Sequence, residues 1–154
     1  AADLHDAGKA DLRFQRERLG WRRGPLLAKS SGSTAQDARR RHGWGSLPAG
    51  WRHEQVSAAI ALSAADGEPE RDVIVRLVGT SHGHGRPFFP LGKDFLVPDG
   101  EGVADPVVLA ELYATGSGWS DIIDRTHVRF GVWGCAYLES ILRSADGQVS
   151  REGS

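Results

Sequence analysis

The sequence predicts an all-α fold, and three observations support this prediction. Apolar residues recur every three or four positions in several segments, as they do along one face of an α-helix. Alternating apolar and polar runs bounded by turn residues, which would indicate strands, are lacking. Stretches rich in glycine, serine and proline separate the periodic segments. We therefore expect a helical bundle with long irregular loops.

The first three helices are predicted from this apolar spacing. They cover residues 11–19, which Gly20 is suited to end, then residues 53–65 and residues 71–80. The β-containing alternative is a buried strand over 73–78, which the helical flanking segments disfavour. The positions on the predicted helix faces are Leu12, Gln15, Arg16 and Leu19, then Val56, Ala59, Ile60 and Ser63, then Val73, Ile74, Leu77 and Val78.

Three more helices are predicted in the last third of the chain. Residues 106–114 follow Asp105 as N-cap, with proline at the first helical position. Residues 119–125 and 127–145 come next, and Asp146 lies just beyond the longer helix. Trp119 and Trp133 are expected in the core. The positions at helical spacing along the longer helix are Val128, Val132, Cys135, Leu138 or Glu139, and Leu142.

Length and composition fit one compact domain. The chain has 154 residues, of which 40% are hydrophobic and 25% charged. It contains no apolar run long enough to cross a membrane, and from its first residues we expect no signal peptide. The single cysteine, Cys135, excludes an internal disulfide framework and fits a reducing cytoplasm. Residues 24–50, rich in Gly, Ser and Arg, are predicted to form an irregular insertion, and residues 83–102 a loop.

The distribution of charge is more informative than the net charge of −1. Arginines are concentrated in the first third of the chain, where they form either a solvated surface or one that contacts phosphates. Trp21, Trp44 and Trp51 accompany them and either anchor the core and loops or stack on bases. The clustered arginines are Arg13, Arg16, Arg18, Arg22, Arg23 and Arg39–Arg41.

The adjacent pair His5-Asp6 is the first candidate for chemistry. An imidazole nitrogen together with a carboxylate oxygen suits Mn, Fe, Ni or Zn. A carboxylate can also bridge two ions and hold them close enough to clamp a phosphodiester. Gly8 allows the backbone to bend directly after the pair, and Lys9 lies near enough to balance charge or contact a phosphate.

Three other places in the sequence carry candidate ligands. His53 begins a predicted helix, and His82 and His84 lie in a glycine-rich turn that also holds Arg86. Asp146 follows the last predicted helix. Taken alone, His53 and Asp146 are also explained as residues at helix ends. The remaining histidines, His42 and His127, fall outside these motifs.

Taken in order, these motifs resemble the HD superfamily of metal-dependent phosphohydrolases. More narrowly, they are similar to the HD nuclease domain of the CRISPR-associated nuclease-helicase of type I systems. The resemblance covers most of the chain and implies that residues 1–154 form one HD-type domain, an all-α bundle. The matching residues are His5-Asp6-Ala7-Gly8-Lys9-Ala10, Phe14-Gln15, Arg52-His53-Glu54 with Ser57, Ser81-His82-Gly83 through Arg86-Pro87, and Ala145-Asp146 with Ser150.

The resemblance implies metal-dependent cleavage of single-stranded DNA. The partners it implies are a helicase domain of the same protein and a CRISPR RNA-guided surveillance complex. One or two divalent ions are expected, namely Mn, Ni, Co or Fe, with Mg as an alternative. The implied ligands are His5, Asp6 and Asp146 for the first ion and His53 and His82 for the second, with Asp6 shared. Asp6 and Lys9 are the expected catalytic residues, and Lys9 and Arg86 are expected to contact phosphates.

Two departures from the family pattern leave alternatives open. The first histidine of the superfamily lies upstream of the His-Asp pair, and because the chain starts at Ala1 without methionine, we expect a fragment lacking the first helix or helices. Ser81 stands where the family has the first of two consecutive histidines, so His84 is a candidate replacement ligand. The alternatives are an HD phosphohydrolase acting on nucleotides, or a degenerate HD module that only binds nucleic acid or partner subunits.

Overall fold

A computed structural model describes residues 1–28, 47–48, 50–89, 102–114 and 118–152. Every regular element within these ranges is helical, which confirms the all-α prediction and replaces the strand alternative over 73–78. Most of the predicted insertion and loop lies outside the described residues, as do His42, Trp44 and Arg39–Arg41. None of the helices described is both long and apolar enough to span a membrane.

In chain order the elements are a 3-10 turn at Ala7–Ala10, α1 at Leu12–Phe14, which continues as a π-helical turn at Gln15–Leu19, α2 at His53–Ala64, α3 at Arg71–Thr80, α4 at Pro106–Tyr113 and α5 at Gly118–Glu152.

Local sequence explains where α1 begins and where its π-helical turn ends. The Asp11 carboxylate accepts two backbone N–H groups of the first turn, which makes it the N-cap. Gly20 adopts a φ of 77°, which favours glycine, and ends the turn there as predicted. The buried Gln15 amide donates to the carbonyls of Lys9 and Leu27. This side chain therefore ties the 3-10 turn to the segment that follows Gly20.

α2 is the central helix and is buried on almost every side. It packs against the 3-10 turn, α3 and α4. Val56 and Ala59 are buried as expected, but Ser63 is exposed, and Ala58 and Ala61 are fully buried outside the predicted face. The small alanine side chains let neighbouring elements approach closely from several directions. A helix covered on all sides has no single apolar face, which is why the predicted face was too narrow.

Gly79 allows α3 to pack against the start of α5. A Cβ atom at Gly79 would overlap the indole of Trp119, so glycine there lets the ring lie directly on the helix. Trp119 is buried as predicted, and its indole N–H donates to the carbonyl of Gly85 over 2.7 Å. The most buried apolar side chains of α3 are Val75 and Val78, whereas Val73, Ile74 and Leu77 are half-buried.

α5 replaces the last two predicted helices. The predicted division at residue 126 is wrong, because Thr126 lies within the helix and its hydroxyl donates to the carbonyl of Ile122 over 2.7 Å. The break lies at Gly131 instead, with φ 68° and ψ 167°. Glycine adopts this conformation far more readily than any residue with a Cβ atom. The helix then continues past Asp146, which had been predicted to follow it.

The break at Gly131 changes which side chains of α5 face the core. Cys135 and Leu142 are buried as predicted, but Val128 and Trp133 are each 88% exposed. The prediction that Trp133 lies in the core is therefore wrong. The prediction assumed that residues three or four positions apart share one face along the whole helix. Because the helix breaks at Gly131, positions before and after the break no longer share one face.

Replacing Gly131 by alanine is expected to lower the free energy of unfolding by about 1–3 kcal/mol, because a Cβ atom is strained at this φ and ψ. Gly147→Ala is the matched control, since a Cβ atom at this position inside α5 meets nothing within 4 Å. The control should raise the free energy of unfolding by roughly 0.5–1 kcal/mol through helix propensity. Urea denaturation followed by circular dichroism measures both changes. Equal effects of the two substitutions would contradict a break at Gly131.

Candidate metal centre

The 3-10 turn that follows His5-Asp6 lies directly against α2. The backbone N–H of Gly8 donates to Ser57 Oγ over 2.8 Å, and a Cβ atom at Gly8 would overlap the carbonyl of His53. Glycine therefore allows the turn to approach the helix closely. This contact places the His5-Asp6 pair beside His53, the first residue of α2.

His5 is oriented by a backbone carbonyl. Its Nδ1 lies 2.6 Å from the carbonyl oxygen of Ala2, so the neutral ring carries its proton on Nδ1 and keeps a lone pair on Nε2. That Nε2 lies 3.3 Å from Asp146 Oδ1 and 3.6 Å from Asp6 Oδ2. His5 and Asp146, which are distant in sequence, thus form one side of the cluster.

His53 and His82 form the other side of the cluster. His53 Nδ1 lies 3.2 Å from Glu54 Oε2, so a proton held on Nδ1 would leave the lone pair on Nε2. His53 Nε2 lies 3.4 Å from Asp6 Oδ1, and His82 Nε2 lies 4.0 Å from the same oxygen. Partial burial of its ring lowers the pKa of His82 below its usual value. The lowered pKa favours the neutral imidazole, which is the form that binds metals.

Asp6 lies between the two sides and presents a different oxygen to each. Its Oδ2 faces His5 and accepts a hydrogen bond from Lys9 Nζ over 2.6 Å, whereas Oδ1 faces His53 and His82. Burial raises the pKa of the Asp6 carboxyl, but the hydrogen bond and positive charge of Lys9 at Oδ2 oppose burial, and that pKa lies well below its usual value. Asp6 is therefore a carboxylate at neutral pH, with both oxygens directed at candidate ligands.

The donor atoms of this cluster fit a divalent ion. His5 Nε2, His53 Nε2 and Asp6 Oδ1 are shielded from solvent and have no hydrogen-bond partner in the part of the chain described. Lone pairs that face one another without a proton or cation repel, and a cation between them removes the repulsion. The candidate ligand atoms of Asp6, His53 and His82 all lie within 4.8 Å of one another. Two ligand atoms that each lie about 2.1 Å from one ion are at most about 4.2 Å apart. Side-chain shifts of less than about 1 Å would therefore bring these three ligand atoms to coordination distance of one ion.

The other predicted site residues lie apart from this cluster. His84, proposed as a replacement ligand, is exposed and follows a glycine with positive φ that turns the chain after His82. Arg86, expected to contact phosphate, pairs instead with the buried Glu139, with Nη1 2.7 Å from Oε2. Arg76 donates to the other oxygen of Glu139 over 3.2 Å. Arg86 is therefore an exposed arginine whose guanidinium pairs with a buried carboxylate, and its expected contact with phosphate stays a prediction.

Glu54 is a candidate functional residue to which the sequence analysis assigned no role. It forms part of the matched motif Arg52-His53-Glu54, but no role was assigned to it. The structure shows it 1% exposed with a carboxylate oxygen against His53 Nδ1. Carboxylates that accept the second ring proton of a metal-binding histidine fix its tautomer and orientation. The available signal was an acidic residue at the start of a helix otherwise rich in small and apolar residues.

No family model, curated protein or solved structure matches this chain in comparisons with known proteins. The candidate site is therefore defined by its own geometry and by the motif resemblance. Within the described residues, that geometry brings together His5, Asp6, His53, His82 and Asp146.

Gly8→Ala is expected to weaken binding of Mn²⁺ by at least about tenfold, because the new Cβ atom would push the His5-Asp6 turn away from α2. Ser57→Ala removes only the acceptor of the Gly8 N–H and should weaken binding less. Isothermal titration calorimetry measures the affinity, and far-UV circular dichroism verifies folding. If both variants bind Mn²⁺ as the unmodified protein does, the turn does not position the ligands.

Glu54→Gln is expected to weaken Mn²⁺ or Co²⁺ binding by about 10–100-fold, because a neutral amide holds the His53 ring proton less strongly. The absorption spectrum of bound Co²⁺ should change as well, since the orientation of His53 changes. Glu68→Gln, at an exposed glutamate beyond α2, is the matched control and should leave both readouts unchanged. An unchanged affinity and Co²⁺ spectrum in Glu54→Gln would show that Glu54 does not orient a ligand.

Proposed function

We propose that this protein is an HD-type, metal-dependent phosphodiesterase that cleaves single-stranded DNA, as the nuclease part of a CRISPR interference nuclease-helicase. The observation that carries the proposal is the position of Asp6, whose two oxygens face two separate donor sets. His5 and Asp146 supply one set, and His53 and His82 supply the other. A shared carboxylate of this kind can hold two ions about 3.5–4 Å apart, the arrangement of two-ion phosphodiester cleavage.

The order of motifs in the sequence supports the same division. The HD resemblance assigns His5, Asp6 and Asp146 to one ion, and His53 and His82 to another. That assignment uses only the order of short motifs, whereas the interatomic distances depend on how the helices pack. The two kinds of observation agree best for the second ion, because among the described residues the ligand atoms of Asp6, His53 and His82 are the set that lies mutually within 4.8 Å.

The chain's own residues prepare the centre for metal chemistry. Divalent ions bound there would lower the pKa of a water molecule and neutralise charge on phosphate oxygens. The Ala2 carbonyl and the Glu54 carboxylate lie against Nδ1 of His5 and His53, so the Nε2 atoms of both rings would be available to hold such ions. Lys9 keeps Asp6 ionised and places an ammonium group where a scissile phosphate would bind.

The chemistry of the ligands and the resemblance together define the proposed metals and partners. Imidazole and carboxylate in one set favour Mn, Fe, Co or Ni over Mg, which prefers oxygen ligands alone. A helicase domain of the same protein would supply the unwound strand. A CRISPR RNA-guided surveillance complex would recruit the enzyme to its target.

Asp6→Asn is expected to lower metal-dependent cleavage of single-stranded DNA by about a thousandfold or more, because an amide cannot replace a carboxylate shared by two ions. A labelled oligonucleotide is incubated with the protein and Mn²⁺ or Ni²⁺, and the products are separated on a denaturing gel. Asp121→Asn, at an exposed aspartate in the first turn of α5, is the matched control and should retain activity. Circular dichroism should show the same helical content in both variants.

The same assay distinguishes the alternatives when nucleoside triphosphates are tested beside DNA. Hydrolysis of triphosphates without DNA cleavage would replace the nuclease by a nucleotide phosphohydrolase. Binding of DNA without hydrolysis of either substrate would indicate a degenerate module. Absence of all metal-dependent cleavage by the folded protein would refute the enzymatic proposal.

A further inference from the structure

A cleft of about 430 Å³ opens directly beside the metal centre. Its walls come from the 3-10 turn, the helix that follows it, the residues that precede α2 and the turn after α3. His53 and His82 belong both to this cleft and to the metal centre, so a molecule in the cleft touches the centre. Sites of roughly 300–1,000 Å³ hold single small ligands, and this volume suits one unit of a polymer better than a duplex.

Positive charge dominates the lining of the cleft. Lys9, Arg18 and Arg52 all contribute to its walls. The acidic residue among the lining residues described is Glu54, which is 1% exposed and directed at His53. Because the Lys9 ammonium pairs with Asp6 over 2.6 Å, the positive charge proposed to meet a phosphate is that of the Arg18 and Arg52 guanidinium groups, which match phosphate oxygens in geometry.

A row of flat rings leads through the cleft towards the metal centre. The Trp51 and Phe14 ring centroids are 5.5 Å apart, and those of Phe14 and His53 are 5.4 Å apart. His53 and His82 continue the row with centroids 5.0 Å apart. Aromatic rings beside cationic side chains are the combination that binds single-stranded nucleic acids, because bases stack on the rings while phosphates pair with the cations.

We propose that this cleft binds one nucleotide unit of single-stranded nucleic acid adjacent to the cleaved phosphodiester. Arg18 and Arg52 contact phosphates, and the base lies against Phe14. Stacking and charge do not read the edges of bases, so binding tolerates any sequence. The identity of the polymer rests on the proposed function, but occupation of the cleft requires neither metal nor cleavage.

Binding is tested with the metal ligands intact and EDTA present, by fluorescence anisotropy of a labelled twelve-nucleotide single-stranded DNA. Arg18→Gln and Arg52→Gln are each expected to weaken binding by about threefold to tenfold at moderate salt. Each should also reduce the slope of log affinity against log salt by about 0.7, the contribution of one phosphate contact to a single strand. Phe14→Leu keeps an apolar side chain against Trp51 and should weaken binding without changing the salt slope.

Matched controls separate the cleft from general attraction between charges. Arg129 lies at the opposite end of α3 from the cleft, where it pairs with Glu70 over 2.7 Å. Arg129→Gln should therefore leave affinity and salt slope unchanged. Arg18→Lys and Arg52→Lys retain the charge and should restore most of the salt slope. Circular dichroism of every variant verifies that the helices are intact.

Binding and cleavage can fail independently. Unchanged affinity and salt slope in both arginine variants would overturn the cleft proposal even if DNA is cleaved. Arginine-dependent binding without metal-dependent cleavage would leave the cleft in place and refute the nuclease. Competition by a mononucleotide as effective as the oligonucleotide would assign the cleft to free nucleotides. Equal binding of a blunt duplex, with the same dependence on Arg18 and Arg52, would also overturn the assignment to single strands.

Discussion

Gly8 lies so close to α2 that its backbone N–H reaches Ser57 Oγ over 2.8 Å, where any Cβ atom would overlap the carbonyl of His53. The same close packing fixes the distance between the His5-Asp6 pair and His53. A wider separation would leave Asp6 Oδ1 out of reach of His53 Nε2, which now lies 3.4 Å away. The candidate centre therefore depends on a residue that carries no chemistry of its own.

The charge balance around Asp6 explains how so many polar groups are tolerated together. Burial of a carboxylate is costly unless charges or hydrogen bonds compensate it. Lys9 supplies that compensation at Oδ2, whereas the imidazole of His53 faces Oδ1. Because His5 and His53 each commit Nδ1 to an acceptor, their inward nitrogens gain a partner only when protonated or when a cation enters. The inward-facing atoms of the cluster are thus suited to receive a proton or a cation.

Sequence patterns located most helices and most of the candidate ligands, and the failures have physical causes. Periodicity located α3, and the N-cap and proline located α4, but neither could detect the burial of α2 on all sides or the break at Gly131. Glycine occurs at many turns and helix ends, so its conformation at residue 131 follows only from the fold. The role of Glu54 was likewise hidden, because it depends on which nitrogen of His53 faces Asp6.

The turn that carries His82 is held from α5, a part of the chain far from the other ligands in sequence. Trp119 donates to the carbonyl of Gly85 over 2.7 Å, and Arg86 pairs with the buried Glu139, which also binds Arg76. Both contacts would be lost if the turn moved away from α5, so they hold the turn in place. His82 forms a wall of both the metal centre and the neighbouring cleft. Contacts made by α5 therefore position a residue that the candidate metal centre and the neighbouring cleft share. In the proposed nuclease, this would couple the placement of a strand to the place of cleavage.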